Sequence, residues 1–212
     1  MQKNRVELPP KKAIYSQIIE YIEKQRTFLL FKGSDLDSIA ESTSYANAAG
    51  FNLIGVAFNT HGLKDYLKSL RNNVYRRFGV FNVSSKKETR IAINAGASFI
   101  FSTHCDRGIV RRCNRETVFN SIGCLTPTEV AAANEFGAKT ISVFPCNKMG
   151  GVSWFVFLQQ IFPKLRLIPT DTMDPSEAIQ YLREGAYAVA PIIDLDVAKD
   201  PGGLIEDFKT IR

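Results

Sequence analysis

Short apolar runs that alternate with helix-length patterns constrain this chain more than any other feature of its sequence. The runs fall at residues 28–31, 53–58, 78–81, 99–101, 118–122, 140–144, 165–168 and 188–192. Runs of this length suit strands covered on both faces, and parallel strands need helical crossovers between them. The intervening segments supply those crossovers. Thr126-Pro127-Thr128-Glu129 and Asp174-Pro175-Ser176-Glu177 each place a capping residue, a proline at the first helical position and a glutamate three residues after the cap. Gly50, Gly96, Gly137 and Gly185 stand where helices should end, each shortly before the next run. Ahead of the first run, Ile14, Ile18 and Ile22 recur every four residues after Pro9-Pro10 and predict one more helix. Eight strands with right-handed crossovers close most simply into an α/β fold of the (β/α)8 TIM-barrel type with an extra N-terminal helix. An open doubly wound sheet is the alternative. The expected division is an N-terminal extension and helix over 1–26, a barrel over 27–200 and a C-terminal helix or tail over 201–212.

With 212 residues and 45% hydrophobic side chains, the chain can fill one core of that size and lacks the composition of a disordered protein. No stretch approaches the ~20 apolar residues needed to span a bilayer. Met1 to Arg5 leads into an amphipathic segment rather than an apolar signal core, so a soluble, intracellular protein is expected. Cys105, Cys113, Cys124 and Cys146 form no CxxC pair, which points to free thiols in a reducing compartment. The net charge of +6 is spread over mild clusters at 3–12, 64–77 and 107–115. No base-reading motif accompanies them, so solvated surface is expected and nucleic acid is not an expected partner.

One segment is more specific. Ile122-Gly123-Cys124-Leu125-Thr126-Pro127-Thr128-Glu129 is followed by Gly137-Ala138-Lys139, and then by Val143-Phe144-Pro145-Cys146-Asn147-Lys148-Met149-Gly150-Gly151. With Asn94 to Ser102 and Leu53 to Thr60 in support, these motifs resemble, in order and spacing, the 2-keto-3-deoxy-6-phosphogluconate and 4-hydroxy-2-oxoglutarate aldolase family. The resemblance covers about four-fifths of the chain and implies a class I aldolase ancestry. In that family a strand-six lysine forms a Schiff base with a 2-oxo acid, and a strand-two glutamate moves protons. Arginines hold the carboxylate, and glycine-rich turns after strands six, seven and eight can cradle a phosphate.

The match departs at those positions. Ser142 stands where the resemblance puts the lysine, and a hydroxyl forms no imine. Gly55 stands at the glutamate position and has no side chain to move a proton. Asn59 stands at the strand-two arginine, and Thr170-Asp171-Thr172 replaces the strand-seven phosphate turn. Asp171 there would repel an anion. Pro191, in the strand-eight region, offers no N–H. Lys32 falls at the strand-one arginine and can attract a carboxylate without bidentate geometry. Gly150-Gly151 begin the helix after strand six, either as an anion site or only for the turn. Lys148, in the same loop, is the one lysine placed to take over imine chemistry.

Active sites in this architecture form at the C-terminal ends of the strands. The candidate pocket is therefore Lys32, Thr60, His104, Pro145, Lys148, Gly150, Gly151 and Thr170. His61, His104, Cys105, Cys124 and Cys146 also follow strands, and they are residue types for metal binding or thiol chemistry. Their spacing carries no metal signature, and cysteine is often a small buried residue, so neither a metal nor a cofactor is expected. The expectation is an aldolase-like barrel without the family's catalytic residues, serving as a structural or regulatory subunit beside other protein subunits. Trp154, Phe155 and Phe157 could pack against such neighbours or form the core face of their own helix. The resemblance implies a homotrimer. The alternative is a lyase-type enzyme on a small 2-oxo acid or other carboxylate, with a relocated lysine or a metal. Plant and algal barrels of this family are similar over 126–129 and 150–151, so plastid stroma stands beside cytoplasm as a setting.

Overall fold

The computed structural model describes residues 9–70 and 77–211. The remaining residues, which include part of the first and second basic clusters, lie outside the described residues. Helix α1 (Lys11–Gln25) comes first, and eight strand–helix units follow it. They are β1 (Leu29–Lys32) with α2 (Leu36–Ala48), β2 (Leu53–Ala57) with α3 (Leu63–Leu70), and β3 (Arg77–Val83) with α4 (Lys86–Ala95). Next come β4 (Phe99–Ser102) with α5 (Arg107–Glu116), β5 (Phe119–Cys124) with α6 (Pro127–Glu135), and β6 (Thr140–Val143) with α7 (Gly151–Ile161). Last are β7 (Arg166–Asp171) with α8 (Pro175–Arg183) and β8 (Ala190–Asp194) with α9 (Pro201–Lys209). All neighbouring strands pair in parallel, and β8 returns to β1, so the sheet closes into a barrel and leaves no edge. The open-sheet alternative is thereby excluded.

The helix starts follow from the capping residues. Both expected capping boxes form: Thr126 with Glu129, and Asp174 with Glu177. Asp35, Ser85 and Asp106 cap α2, α4 and α5 by accepting from first-turn N–H groups, without the reciprocal glutamate bond. Gly50, Gly96, Gly137 and Gly185 all adopt positive φ after a helix, as their positions require. The largest difference from the sequence reading is at β7, expected over 165–168 and found to run to Asp171. Pro169 and Thr170 read as terminators, yet in a closed barrel both lie in paired strand, Pro169 beside Val143. Asp171 is therefore strand, and the expected three-residue turn is not one.

Alternation along the strands sorts the core into two layers. Leu29, Phe31, Ile54, Val56, Ile100 and Ile122 face out against the helices. Phe28, Leu30, Phe99, Phe101, Phe119 and Ile168 fill the barrel interior. Ile18 and Ile22 of α1 join the interior cluster, so the extra helix packs against it. An ion pair between Lys11 and Glu116 also ties α1 to α5. The interior is aromatic. The Phe28 ring lies 5.1 Å from Phe99 and 4.9 Å from Phe101, both edge-on, and 5.9 Å from Phe119. Small residues make the room. A Cβ on Gly79 would lie 2.1 Å from the Phe99 ring, and one on Gly55 would lie 2.6 Å from Leu30 Cδ2. Ile205 and Phe208 of α9 are buried in the same outer layer as the other helices.

Candidate functional site at the barrel mouth

The centre of the mouth is closed by side chains. Inward-facing Phe81, Phe101, Phe144 and Ile192 meet there, with Ser102, Ser142 and Thr170 beneath the same opening. The space left among them is about 10 Å³, which is barely room for one water molecule. Ser142 is buried and donates to Thr170 Oγ1 at 2.7 Å, and Thr170 Oγ1 in turn donates to the Ile168 carbonyl at 3.2 Å. Neither hydroxyl is left seeking a partner. At Gly55 the inward direction is occupied: Leu30 Cδ2 and Phe99 Cε2 lie 2.6 and 3.3 Å from where a Cβ would be.

The strand-six and strand-seven ends are also self-satisfied. The Asp171 carboxylate, nearly buried, accepts from the Asn147 N–H at 3.0 Å and the Thr172 N–H at 2.8 Å. Asn147 donates from its side chain to the Thr172 carbonyl and to Glu177, and accepts from the Tyr181 hydroxyl at 2.5 Å. Backbone donors that could meet a ligand anion here instead meet the chain's own carboxylate. Lys148, Met149 and Gly150 are exposed on a short 3-10 turn, Pro145 is half-buried after a cis bond to Phe144, and Gly151 opens α7.

Open volume lies to one side. A cavity of about 440 Å³ is lined by Lys32, Asn59, His61, Ser34, Asp194 and Asp196, at the ends of β1, β2 and β8. Lys32 pairs with Asp194 at 2.8 Å, so its charge is already partnered. Asp196 accepts from the Ser34 N–H and hydroxyl, each at 2.9 Å, and these bonds hold its carboxyl below the usual range. A larger groove of about 680 Å³ runs between α3 and α4, with Asn59, Thr60 and His61 at one end. The Thr60 hydroxyl is buried and has no hydrogen-bond partner among the described residues.

The sequence-derived pocket therefore does not assemble as one site. Lys32, Asn59 and His61 share a cavity, Thr60 faces the neighbouring groove, Thr170 is sealed inside, and His104 and Lys148 are exposed on separate loops. The proposed metal ligands do not converge either. Among the described residues no three histidine, cysteine, aspartate or glutamate side chains are placed to hold a metal ion. Cys124 and Cys146 are buried in the outer layer between sheet and helices rather than facing the mouth. Burial pushes the Cys146 thiol up to about 11, which leaves it protonated at neutral pH. Sequence reasoning missed Asp194 and Asp196, although two carboxylates at the end of the final strand are a readable sign. It also missed the filling by Phe81, Phe101 and Phe144, which read as ordinary strand residues.

The fold and the position of the mouth define the class: a single (β/α)8 barrel whose loops at the strand ends form the site region. The family model for KDPG and KHG aldolases matches residues 18–193, and the chain belongs to that family. It is 23% identical over 169 residues to the 2-dehydro-3-deoxy-phosphogluconate aldolase of Treponema pallidum, covering 78% of this chain and 79% of that protein. The 2-keto-3-deoxy-6-phosphogluconate aldolase of Zymomonas mobilis ZM4, solved with 3-phosphoglycerate, superposes with a TM-score of 0.81 at 16% identity, covering 93% of this chain and 97% of the other. A protein cage designed by fusing symmetric oligomeric domains matches with a TM-score of 0.79 at 16% identity over 87% of this chain and 71% of that one. At these identities the structural matches speak for the fold alone.

Proposed function

We propose that this barrel is a non-catalytic member of its family, retained as a structural or regulatory subunit among other proteins. The observation that carries this reading is the space of about 10 Å³ left around Ser142 at the centre of the mouth, too small for a 2-oxo acid to reach that position. Three features support it. Ser142, where the family resemblance puts the imine-forming lysine, spends its hydroxyl on Thr170. Gly55, where it puts the proton-moving glutamate, has Leu30 and Phe99 in the space a side chain would need. Asp171 takes the backbone donors beside the strand-seven end. Such a subunit acts through its surface. Phe157 and Ile161 on α7 are each 44% exposed, and Met149 before it is 52% exposed. Trp154 stacks on Phe157 at 5.2 Å and donates its indole N–H to the Leu125 carbonyl. Phe155, by contrast, is fully buried and belongs to the core face of the helix. A homotrimer through exposed apolar surface is part of the proposal. So is an intracellular setting, cytoplasmic or plastid; among the described residues no helix is long and apolar enough to cross a membrane.

The test is turnover. Purified protein incubated with 2-keto-3-deoxy-6-phosphogluconate or 4-hydroxy-2-oxoglutarate should release no pyruvate above the uncatalysed rate. Sustained release that scales with protein concentration would end the proposal. One observation favours a second reading, a lyase-type enzyme on a small carboxylate: the 440 Å³ cavity with Lys32, Asn59 and His61 at its wall. That reading requires Lys32→Ala to abolish whatever turnover is found.

A further inference from the structure

Three helices of this barrel pair their surface charges within one turn: Glu20 with Lys24 on α1, Asp65 with Lys68 on α3, and Glu206 with Lys209 on α9. The adjacent helices α4 and α5 place like charges together instead. Arg107, Arg111 and Arg115 recur every four residues and form a row along α5, away from its buried Ile109, Val110 and Cys113. On α4, Lys86 and Arg90 stand one turn apart, away from the buried Thr89, Ala92 and Ala95. The two sets adjoin, because α4 packs beside α5. A Cβ on Gly108 would lie 3.2 Å from the Lys86 Cβ and 3.5 Å from its Cδ, so the lysine stem lies across the start of α5. All five cations are exposed, and among the described residues none has a carboxylate partner. The carboxylates of the two helices and of the α5 cap are engaged elsewhere. Glu116 is held by Lys11 and Arg112, Glu88 accepts from the Ser84 N–H and hydroxyl, and Asp106 accepts from the Ile109 N–H.

This arrangement works against the helices that carry it. Like charges one turn apart repel, and three such pairs occur: Lys86 with Arg90, Arg107 with Arg111, and Arg111 with Arg115. Lys86 and Arg107 are also the first residues of their helices, where the positive end of the dipole disfavours a cation. Local choices that oppose the fold mark a surface kept for another purpose. We infer that the α4–α5 face docks an acidic polypeptide segment of a partner protein, an inference that rests on the reading of this barrel as a subunit among other proteins. Successive α5 arginines lie about 6 Å apart along the helix axis, the separation of carboxylates one turn apart on an acidic helix. Each guanidinium presents the planar fork that binds a carboxylate through two parallel hydrogen bonds. The two helices carry no exposed aromatic ring on which the bases of a single-stranded nucleic acid would stack. They also expose no apolar side chain to enter a membrane surface.

The probe is a fluorescein-labelled oligoglutamate peptide, titrated with the full chain and read by fluorescence anisotropy. Two triple variants are compared with the wild type. One carries Arg107→Gln, Arg111→Gln and Arg115→Gln. The other carries Lys139→Gln, Lys164→Gln and Lys199→Gln, which removes the same charge from exposed lysines elsewhere on the barrel. The arginine variant should bind about tenfold more weakly or worse, and the lysine variant should stay close to wild type. Because the arginines repel one another, the urea midpoint of the arginine variant should hold or rise. Equal losses in the two variants would mean attraction to net charge alone and overturn the inference. So would a fall in that midpoint, which would assign the arginines to the fold. Tighter binding of a single-stranded oligodeoxynucleotide of equal charge, or of phosphatidylserine vesicles, would assign the face to a different partner and overturn it as well. Release of pyruvate from a 2-oxo acid would end the underlying reading by a separate assay, whatever the peptide does.

Discussion

Gly79 and Phe99 show how single residues settle what this barrel can hold. Phe99 turns its ring into the interior, where it takes the space in front of both Gly79 and Gly55. A methyl at 79 collides with rigid ring atoms at 2.1 Å, whereas one at 55 meets the tip of the flexible Leu30 side chain at 2.6 Å. Gly79→Ala should therefore cost more than Gly55→Ala, within the roughly 1–3 kcal/mol typical of overpacking, as read by urea denaturation. Phe99→Leu should relieve part of the Gly79→Ala cost, so that the double variant loses less than the sum of the two singles. Equal effects at the two glycines, with additive double variants, would show that the interior is looser than this packing. The same geometry explains why the site was only half legible in the sequence. Gly55, Asn59 and Ser142 could be singled out because a family motif surrounds each of them. Phe81, Phe101 and Phe144 carry no such mark, and their meeting over the mouth depends on closing three separate strands.

At the scale of the element, local signals were strong and the structure follows them. The capping boxes at Thr126 and Asp174 and the glycines after α4, α6 and α8 lie within a few residues of the structure they specify, so no tertiary information is needed to read them. β7 was misjudged because Pro169 terminates strands in general yet is tolerated in this one. The acidic caps have a consequence for acid stability. The Asp35 carboxyl is held low by hydrogen bonds from Ser38, and that of Asp174 by the Glu177 N–H and the Ser176 hydroxyl. A folded-state value below the unfolded one, about 3.9, makes the stabilisation complete above that value; it is lost as pH falls through the folded value. The urea midpoint should hold steady from neutrality to about pH 5 and decline below about pH 4. In Asp174→Asn, which keeps a capping oxygen but no charge, that decline should be shallower; an identical acid profile would show that the cap charge is not linked to folding.

For the whole molecule the proposal is of a fold kept while the centre of its mouth is filled, with the surface left to act. Exposed Phe157, stacked on half-buried Trp154, and exposed Ile161 give α7 an apolar face on view. Light scattering should find an assembly larger than the 23.7 kDa chain. Phe157→Asp should shift it toward the monomer with the far-ultraviolet spectrum unchanged, because Phe157 is not part of the core. A wild-type monomer at micromolar concentration would remove self-association and leave only foreign partners. The central claim, that Schiff-base chemistry is gone, meets its most direct test in borohydride trapping with pyruvate, read by intact mass on protein shown to be folded. The account predicts an unchanged mass. A lysine adduct, at Lys148 or elsewhere, would contradict it and return this barrel to the aldolases as a working enzyme.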